Sequence, residues 1–150
     1  MTAVPTIISG LREIAGDYDA LVCDVWGVVH DGLHPHWAAV EALRRFRAEH
    51  GPVVLLSNAP RLSAALEQQL AFIGVPADCY DAAVTSGGAA RDDIAHRAAG
   101  GPLAMMYLGP DRDRHLYEGL NVELVGPEKA SVVLLAGLND DETETPEHYR

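Results

Sequence analysis

The sequence predicts an α/β fold built around a parallel β-sheet, and three observations support this. Apolar runs of strand length, "ALVCDV", "VVLLSN" and "AAVTSGG", alternate with longer segments of helical periodicity. The first two runs are continuous rather than alternating, which suits strands that are covered on both faces. The resulting βαβαβ order favours parallel strands joined by right-handed crossovers, which is a Rossmann-like arrangement.

Two amphipathic helices are predicted between these strands. The first, in "HWAAVEALRRFRAEHG", carries an apolar stripe and ends before a Gly-Pro pair. The second, in "RLSAALEQQLAFIG", carries a similar stripe and ends at Gly74. The residues of the two stripes are Trp37, Val40, Leu43 and Phe46, then Leu62, Leu66, Leu70 and Ile73.

The pattern restarts after Gly88, so the predicted domain boundary lies at the Gly87-Gly88 pair. A helix is predicted over "AARDDIAHRAA", strands over "LAMMYLG", "NVELV" and "ASVVLLAG", and a short helix near "DRDRHLYEGL". Thr145 followed by Pro146 is typical of a helix start. Because this start falls so close to Arg150, we expect the natural protein to be longer.

The charge of the chain excludes some classes of partner. There are 22 acidic residues against 11 lysines and arginines, which gives a net charge of −11. This disfavours nucleic acid and anionic membranes as partners but allows a small phosphorylated metabolite at a locally basic site. The two cysteines do not indicate a disulfide framework, and no secretory signal is predicted, so the expected location is the cytoplasm. The sequence leaves open whether the protein forms a homo-oligomer.

Polar residues end the three predicted strands of the first half. They are Asp24, the pair Ser57-Asn58, and the pair Thr85-Ser86. Ligands of parallel sheets bind beyond these carboxyl ends. A carboxylate such as Asp24 can attack phosphorus, and the Ser57 hydroxyl with nearby N–H groups can hold phosphoryl oxygens. Each residue alone is more often a cap or turn residue, whereas their occurrence on successive strands favours a phosphate site.

These residues resemble the haloacid dehalogenase (HAD) superfamily of phosphohydrolases. "DVWGVVHDG" matches the first motif of class IIA, whose large α/β cap is inserted after the third core strand, and "VVLLSN" matches the second motif. The phrases "YLGPDRDRHLYEGL" and "LLAGLNDDETETPEHYR" resemble the cap of a bacterial subgroup of that class, which also has the "DVWG" form. The resemblance implies that residues 1–88 belong to the core and 89–150 to a partial cap.

The resemblance also implies roles for individual residues. Asp24 would be the nucleophile and a ligand of Mg²⁺, the implied cofactor, and the backbone carbonyl of Trp26 would be a second ligand. Ser57, Asn58 and Gly27 would bind the phosphate group. The expected activity is Mg²⁺-dependent hydrolysis of a small phosphorylated metabolite through an aspartyl phosphate. The alternatives are a weakly active or non-catalytic phosphate-binding, regulatory relative, and a phosphotransferase.

Trp26 departs from the family pattern, which has an acid at this position. That acid protonates the leaving group, and general acid–base catalysis contributes typically ~10²–10⁴-fold to a rate. Tryptophan cannot supply the proton, although it keeps the carbonyl. The alternative is that Trp26 only packs in the loop of a non-catalytic descendant.

His30 and Asp31 lie in the same loop and are the candidate replacement proton donors. His30, His34 and His36 could also suggest zinc, but Gly32 and Pro35 interrupt any helix that would align the first two. Zinc is therefore disfavoured.

Two further parts of the family's site are missing from the 150 residues. The lone lysine, Lys129, lies in a turn and not where the family's lysine is expected, and no late acidic motif follows a core strand. Asp140 and Asp141 follow an apolar strand and could be late metal ligands, but the cap resemblance disfavours this. We therefore expect the isolated 150-residue chain to be inactive.

Overall fold

The computed structural model describes residues 7–140 and 142–150, which form two compact units. The first unit extends to Ser57 and resumes over Glu67–Val84. The second unit comprises Asn58–Leu66 and Thr85–Arg150. The predicted division into 1–88 and 89–150 stays a prediction.

A three-stranded sheet of order β1-β2-β3 organises the first half of the chain, with β1 at Leu21–Asp24, β2 at Val53–Ser57 and β3 at Ala82–Thr85. Strands β1 and β2 are parallel, and their register pairs Cys23 with Leu55 and Asp24 with Leu56. The predicted α/β class with a Rossmann-like parallel sheet is confirmed. The two strands therefore present their carboxyl ends, at Asp24 and Ser57, at the same edge.

Helix α1, Trp37–Glu49, buries the apolar stripe that its periodicity predicts. Val40, Leu43 and Phe46 are all buried. Trp37 is the exception, since it is 59% exposed. Trp37 is the first residue of the helix, and the buried part of the stripe begins one turn later, at Val40. Helix α2, Ser63–Phe72, buries Leu66 and Leu70 of its predicted stripe, whereas Leu62 and Ile73 lie just outside the helix and are half-buried.

Two ion pairs join α1 to the segment around the 3-10 helix Ala77–Cys79. Arg44 contacts Asp78 at 2.9 Å, and Arg47 contacts Asp81 at 2.8 Å. Asp81 also accepts a hydrogen bond from the backbone N–H of Val53 at 2.9 Å. Exposed pairs of this kind are worth little individually, so the buried helix face contributes more to holding α1 in place.

The second unit has its own sheet and core. Its strands are β4, Leu103–Leu108, β5, Val122–Leu124, and β6, Val132–Leu135; their order is β5-β4-β6 and both pairs are parallel. Two 3-10 helices, at Asp111–Leu116 and Pro146–Tyr149, lie where the sequence predicts a short helix and a helix start. The core residues of this unit are Ile94, Met105, Leu116, Tyr117 and Leu134.

Helix α3, Ser86–Ala98, begins three residues earlier than predicted. Thr85 is its N-cap, and the Thr85 side chain accepts a hydrogen bond from the backbone N–H of Gly88 at 3.0 Å. An N-cap threonine satisfies one of the backbone donors that a helix start leaves without a partner. This cap outweighs the low helix propensity of Gly87 and Gly88, which the sequence analysis placed outside the helix.

None of the helices among residues 7–140 and 142–150 is long and apolar enough to cross a membrane.

Candidate active site

Asp24 is the last residue of β1 and is exposed to solvent. Its Oδ1 atom accepts a hydrogen bond from the backbone N–H of Val25 at 2.8 Å, which orients the carboxylate. The carboxylate is thus oriented by its own backbone and is accessible from solvent.

Ser57 ends β2 and differs from Asp24 in burial. The residue that pairs with Asp24 is Leu56, so Ser57 lies one position further along its strand. Because side chains alternate along a strand, Ser57 and Leu56 leave β2 on opposite sides. Their burial agrees, since Leu56 is 49% exposed and Ser57 only 8%. The structure brings Asp24 and Ser57 to one edge of the sheet; their convergence on one small cavity stays a prediction.

The loop after β1 is a tight turn that depends on Gly27. Gly27 has a φ of 76°, which favours glycine. Its N–H donates to the carbonyl of His30 at 2.8 Å, and the carbonyl of Val25 accepts from Val29 at the same distance. The Gly27 N–H is therefore already in use within the loop, and a contact from Gly27 to phosphate stays a prediction, as does one from Asn58.

The Trp26 side chain packs onto its own loop while remaining 63% exposed. Its ring lies over Gly32, so that a Cβ atom at Gly32 would be 2.6 Å from Cη2 of Trp26. The Trp26 and His30 rings meet edge to face, with centroids 5.4 Å apart and an interplanar angle of 84°. The Trp26 side chain thus has a packing role here, and its replacement of a catalytic acid stays a prediction. The metal-binding role of the Trp26 carbonyl stays a prediction.

His30 is positioned as a hydrogen-bond acceptor within the loop. It is 2% exposed, and its Nδ1 accepts the backbone N–H of Gly32 at 2.8 Å. The proton of the neutral ring is therefore on Nε2. Burial lowers the pKa of His30 below its ordinary value, because it disfavours the charged form. A proton on Nδ1 would also cost the Gly32 bond, so the structure disfavours His30 as the replacement acid.

Asp31 is equally unsuited to donate a proton. Its Oδ1 accepts the backbone N–H of His34 at 2.7 Å and that of Leu33 at 2.8 Å. These two bonds, the one from His34 first, lower the pKa of Asp31 to about 2. The carboxyl group is ionised at neutral pH and serves as a turn residue. Neither of the two loop candidates is therefore arranged to donate a proton.

The oxygen atoms available at this site are of the type that binds a magnesium ion. Magnesium is usually held by one or two carboxylates together with water and substrate phosphate. The Asp24 carboxylate and the Trp26 carbonyl are oxygen donors of that type. Residues 7–140 and 142–150 contain no group of three or more His, Cys, Asp and Glu that could hold a metal ion. Asp140 accepts hydrogen bonds from Glu142 and Thr143 in a turn, and Asp141 lies outside the described residues.

Replacing Gly32 with alanine tests the packing of the Trp26 ring. Gly32 has a φ of 100°, and its added Cβ would meet the ring. We expect Gly32→Ala to lower the free energy of unfolding by roughly 2 kcal/mol through backbone strain and overpacking together. The measurement is urea unfolding of the complete natural protein.

Gly27→Ala is the matched control, because Gly27 also has a positive φ but no atom within 4 Å of its added Cβ. The difference between the two variants isolates the ring contact. Adding Trp26→Ala to Gly32→Ala should recover part of the loss. If Gly32→Ala is no more destabilising than Gly27→Ala, the ring does not lie over Gly32.

Comparison with known proteins agrees with this arrangement of strands and loop. The family model described as haloacid dehalogenase-like hydrolase matches residues 21–123, a range that includes β1, the loop and both strand ends. A haloacid dehalogenase-like hydrolase from Brucella suis 1330 shares 42% sequence identity, with a TM-score of 0.78 over 96% of this chain and 54% of its own. No match was found among curated proteins.

Two further solved structures show the same fold at lower identity. A 4-nitrophenylphosphatase from Thermotoga maritima has 21% identity and a TM-score of 0.62, with 89% of this chain and 49% of its own covered. A glycerol phosphate phosphatase from Mycobacterium tuberculosis, in complex with calcium, has 22% identity and a TM-score of 0.54, with 89% and 38% covered. The chain thus spans about half the length, or less, of the structures it matches.

The fold and the first motif together define a hydrolase of the HAD-like class. The chain belongs to the haloacid dehalogenase-like hydrolase family. The predicted membership of the HAD superfamily is thereby confirmed, and its place in class IIA stays a prediction.

Proposed function

We propose that the complete natural protein is a Mg²⁺-dependent phosphohydrolase of a small phosphorylated metabolite. The observation that carries the proposal is the position of Asp24, a solvent-exposed carboxylate at the carboxyl end of β1 in a chain of this family. Ser57 ends the neighbouring parallel strand. The names of two relatives, a 4-nitrophenylphosphatase and a glycerol phosphate phosphatase, support this class of substrate.

Asp24 acts as the nucleophile in the proposed mechanism. The hydrogen bond from Val25 to Oδ1 holds the carboxylate, and the other oxygen attacks phosphorus. A bond forms between that oxygen and phosphorus as the bond to the leaving-group oxygen breaks. Water then attacks the aspartyl phosphate, which releases phosphate and restores the carboxylate. The hydroxyl of Ser57 donates a hydrogen bond to a phosphoryl oxygen in both steps.

Asp24 and the carbonyl of Trp26 would hold the metal ion. A bound Mg²⁺ neutralises charge on the phosphoryl group and orients it. The loop residues keep the carbonyl in place, because Gly27 donates to the His30 carbonyl and His30 accepts from Gly32. The expected location of this enzyme is the cytoplasm.

A phosphate-binding protein without turnover is the second candidate. The observation that favours it is Trp26, since neither His30 nor Asp31 is arranged to replace the missing acid. Such a protein would bind phosphate at Asp24 and Ser57 but would release no product.

Phosphate release from 4-nitrophenyl phosphate by the complete natural protein tests the proposal. We expect activity with Mg²⁺ and its loss with a chelator. Ser57→Ala should lower kcat by about 10²-fold, the usual cost of removing one donor to a transition-state oxygen. Ser9→Ala is the control, because Ser9 is exposed and bonds only to Glu13 among the described residues.

Two results would contradict the proposal. Binding of inorganic phosphate without hydrolysis of any phosphate ester would favour the second candidate. Equal rates for Ser57→Ala and Ser9→Ala would remove Ser57 from the site.

A further inference from the structure

A cavity of about 520 Å³ lies within the second compact unit, in the size range of small-molecule sites. Three separate segments of the chain line it. The first is the loop after β2, with Pro60 and Arg61; the second is the 3-10 helix Asp111–Leu116; the third follows β6, with Gly137. A cavity formed by three distant segments exists only in the folded chain.

The lining of this cavity is basic, whereas the chain as a whole is acidic. Its lining includes Arg61, Arg112 and His115 together with one acidic residue, Asp113. The whole chain carries twice as many acids as lysines and arginines, 22 against 11. A planar guanidinium group matches the oxygens of a carboxylate or a phosphate with two parallel hydrogen bonds. The charge therefore favours an anionic ligand.

The backbone of the loop that carries Arg61 is held in place by α3. The Ser86 hydroxyl donates to the carbonyls of Asn58 and Ala59 at 2.8 and 2.9 Å. The backbone of Gly87 lies so close to that of Arg61 that a Cβ atom added at Gly87 would be 2.6 Å from the backbone nitrogen of Arg61. Any larger residue at position 87 would displace this wall of the cavity.

The opposite wall is also fixed. Arg91 of α3 donates to the carbonyl of His115 at 2.8 Å and to that of Glu118 at 2.9 Å. Between them, Leu116 and Tyr117 are buried in the core of the unit. Walls that are ordered before a ligand arrives reduce the entropic cost of binding.

We propose that this cavity binds the oxyanion group, carboxylate or phosphate, of a small acidic metabolite, with Arg112 as a principal contact. The inference goes beyond the proposed hydrolysis at Asp24 and holds with or without turnover there. Neither Asp24 nor Ser57 is among its lining residues. Asp113 opposes binding and limits the affinity for a simple anion.

Nuclear magnetic resonance of the complete natural protein tests the proposal directly. Inorganic phosphate and malonate are titrated separately, and the backbone amide signals of His115 and Gly137 are followed. We expect saturable shifts at both residues with at least one anion. Phosphate alone identifies a phosphate site, malonate alone a carboxylate site, and shifts with both a general oxyanion site.

Matched substitutions separate a defined site from diffuse attraction. Arg112→Gln should weaken binding at least about tenfold, because it removes charge-assisted hydrogen bonds. Arg114→Gln removes the same charge from the same 3-10 helix, but Arg114 pairs with Asp111 at 2.8 Å and does not line the cavity, so binding should be unchanged. Asp113→Asn should tighten binding.

Failure here is distinguishable from failure of the proposed hydrolysis. The shifts at His115 and Gly137 should persist in Asp24→Asn, which removes the proposed nucleophile. The proposal is overturned if neither anion shifts these signals, or if Arg112→Gln and Arg114→Gln weaken binding equally.

Discussion

Asp24→Asn in the complete natural protein is expected to abolish phosphate release, with a loss of at least about 10³-fold in kcat. Asparagine has nearly the same shape as aspartate, and its Oδ1 can still accept the N–H of Val25, as Oδ1 of Asp24 does at 2.8 Å. The exchange therefore keeps the fold of the strand end and removes the nucleophilic oxygen. It also weakens the proposed metal site, since a carboxylate becomes a neutral amide.

Two measurements check this expectation. The first is the rate of phosphate release from 4-nitrophenyl phosphate, with Asp17→Asn as the matched control, because Asp17 is exposed and lies in the 3-10 helix Ala15–Asp17, before β1 and outside the loop. The second is acid quenching during turnover of a radiolabelled substrate, which should leave phosphate on the wild-type protein and none on Asp24→Asn. Residual activity above about 0.1 per cent, the level that a 10³-fold loss leaves, would assign that role to another residue.

Trp26→Asp is expected to change the preference between leaving groups. An aryl phosphate with an acidic phenol leaves with little help, whereas an alkyl alcohol needs a proton as it departs. Because neither His30 nor Asp31 is placed to supply that proton, the wild type should strongly prefer aryl phosphates. Trp26→Asp should raise the alkyl rate by up to the roughly 10²–10⁴-fold that a general acid contributes, and the aryl rate far less.

The structure makes a second variant necessary as a control. Removing the indole ring also removes its contacts with Gly32 and His30, which can loosen the loop. Trp26→Asn loses the same ring and has the size of aspartate, but it cannot donate a proton as a carboxylic acid does. The ratio of the alkyl rates of Trp26→Asp and Trp26→Asn therefore isolates the general acid from the packing change.

Other outcomes of this experiment are informative. Equal and substantial rates on both substrates in the wild type would mean that another group already donates the proton. His30 would then be the first residue to replace, despite its bond to Gly32. No activity in either the wild type or Trp26→Asp would favour the phosphate-binding protein.

The elements of the fold could be predicted because their signals are local. Each of these signals lies in a short continuous segment: the apolar runs of β1 and β2 and the apolar stripe of α1. The structure has these three elements where the pattern predicts them. The resemblance of the first motif likewise depends on one short segment, and family membership is confirmed. The start of α3 was misplaced because a single capping hydrogen bond from Gly88 to Thr85 outweighed the low propensity of two glycines.

The chemistry of the loop was only partly predictable. Sequence alone offered His30 and Asp31 as candidate proton donors, with His30 favoured because histidine titrates near neutral pH. The structure disfavours both as proton donors, for different reasons. His30 is buried and its Nδ1 accepts a hydrogen bond from the N–H of Gly32. Asp31 stays ionised because hydrogen bonds from two backbone N–H groups lower its pKa. Which nitrogen accepts, and which amides reach a carboxylate, depends on the path of the backbone through the turn, and residue types alone do not specify that path.

By itself, the sequence determined the class of fold, the order of the strands along the chain and the residues at their ends, because periodicity and turn chemistry act over short distances. Only the tertiary structure placed the Trp26 ring over Gly32 and brought Arg61 and Arg112 into one cavity. These two arginines are far apart in the sequence, and no local pattern links them. They come together because α3 holds the loop after β2 and the 3-10 helix through the contacts of Ser86, Gly87 and Arg91.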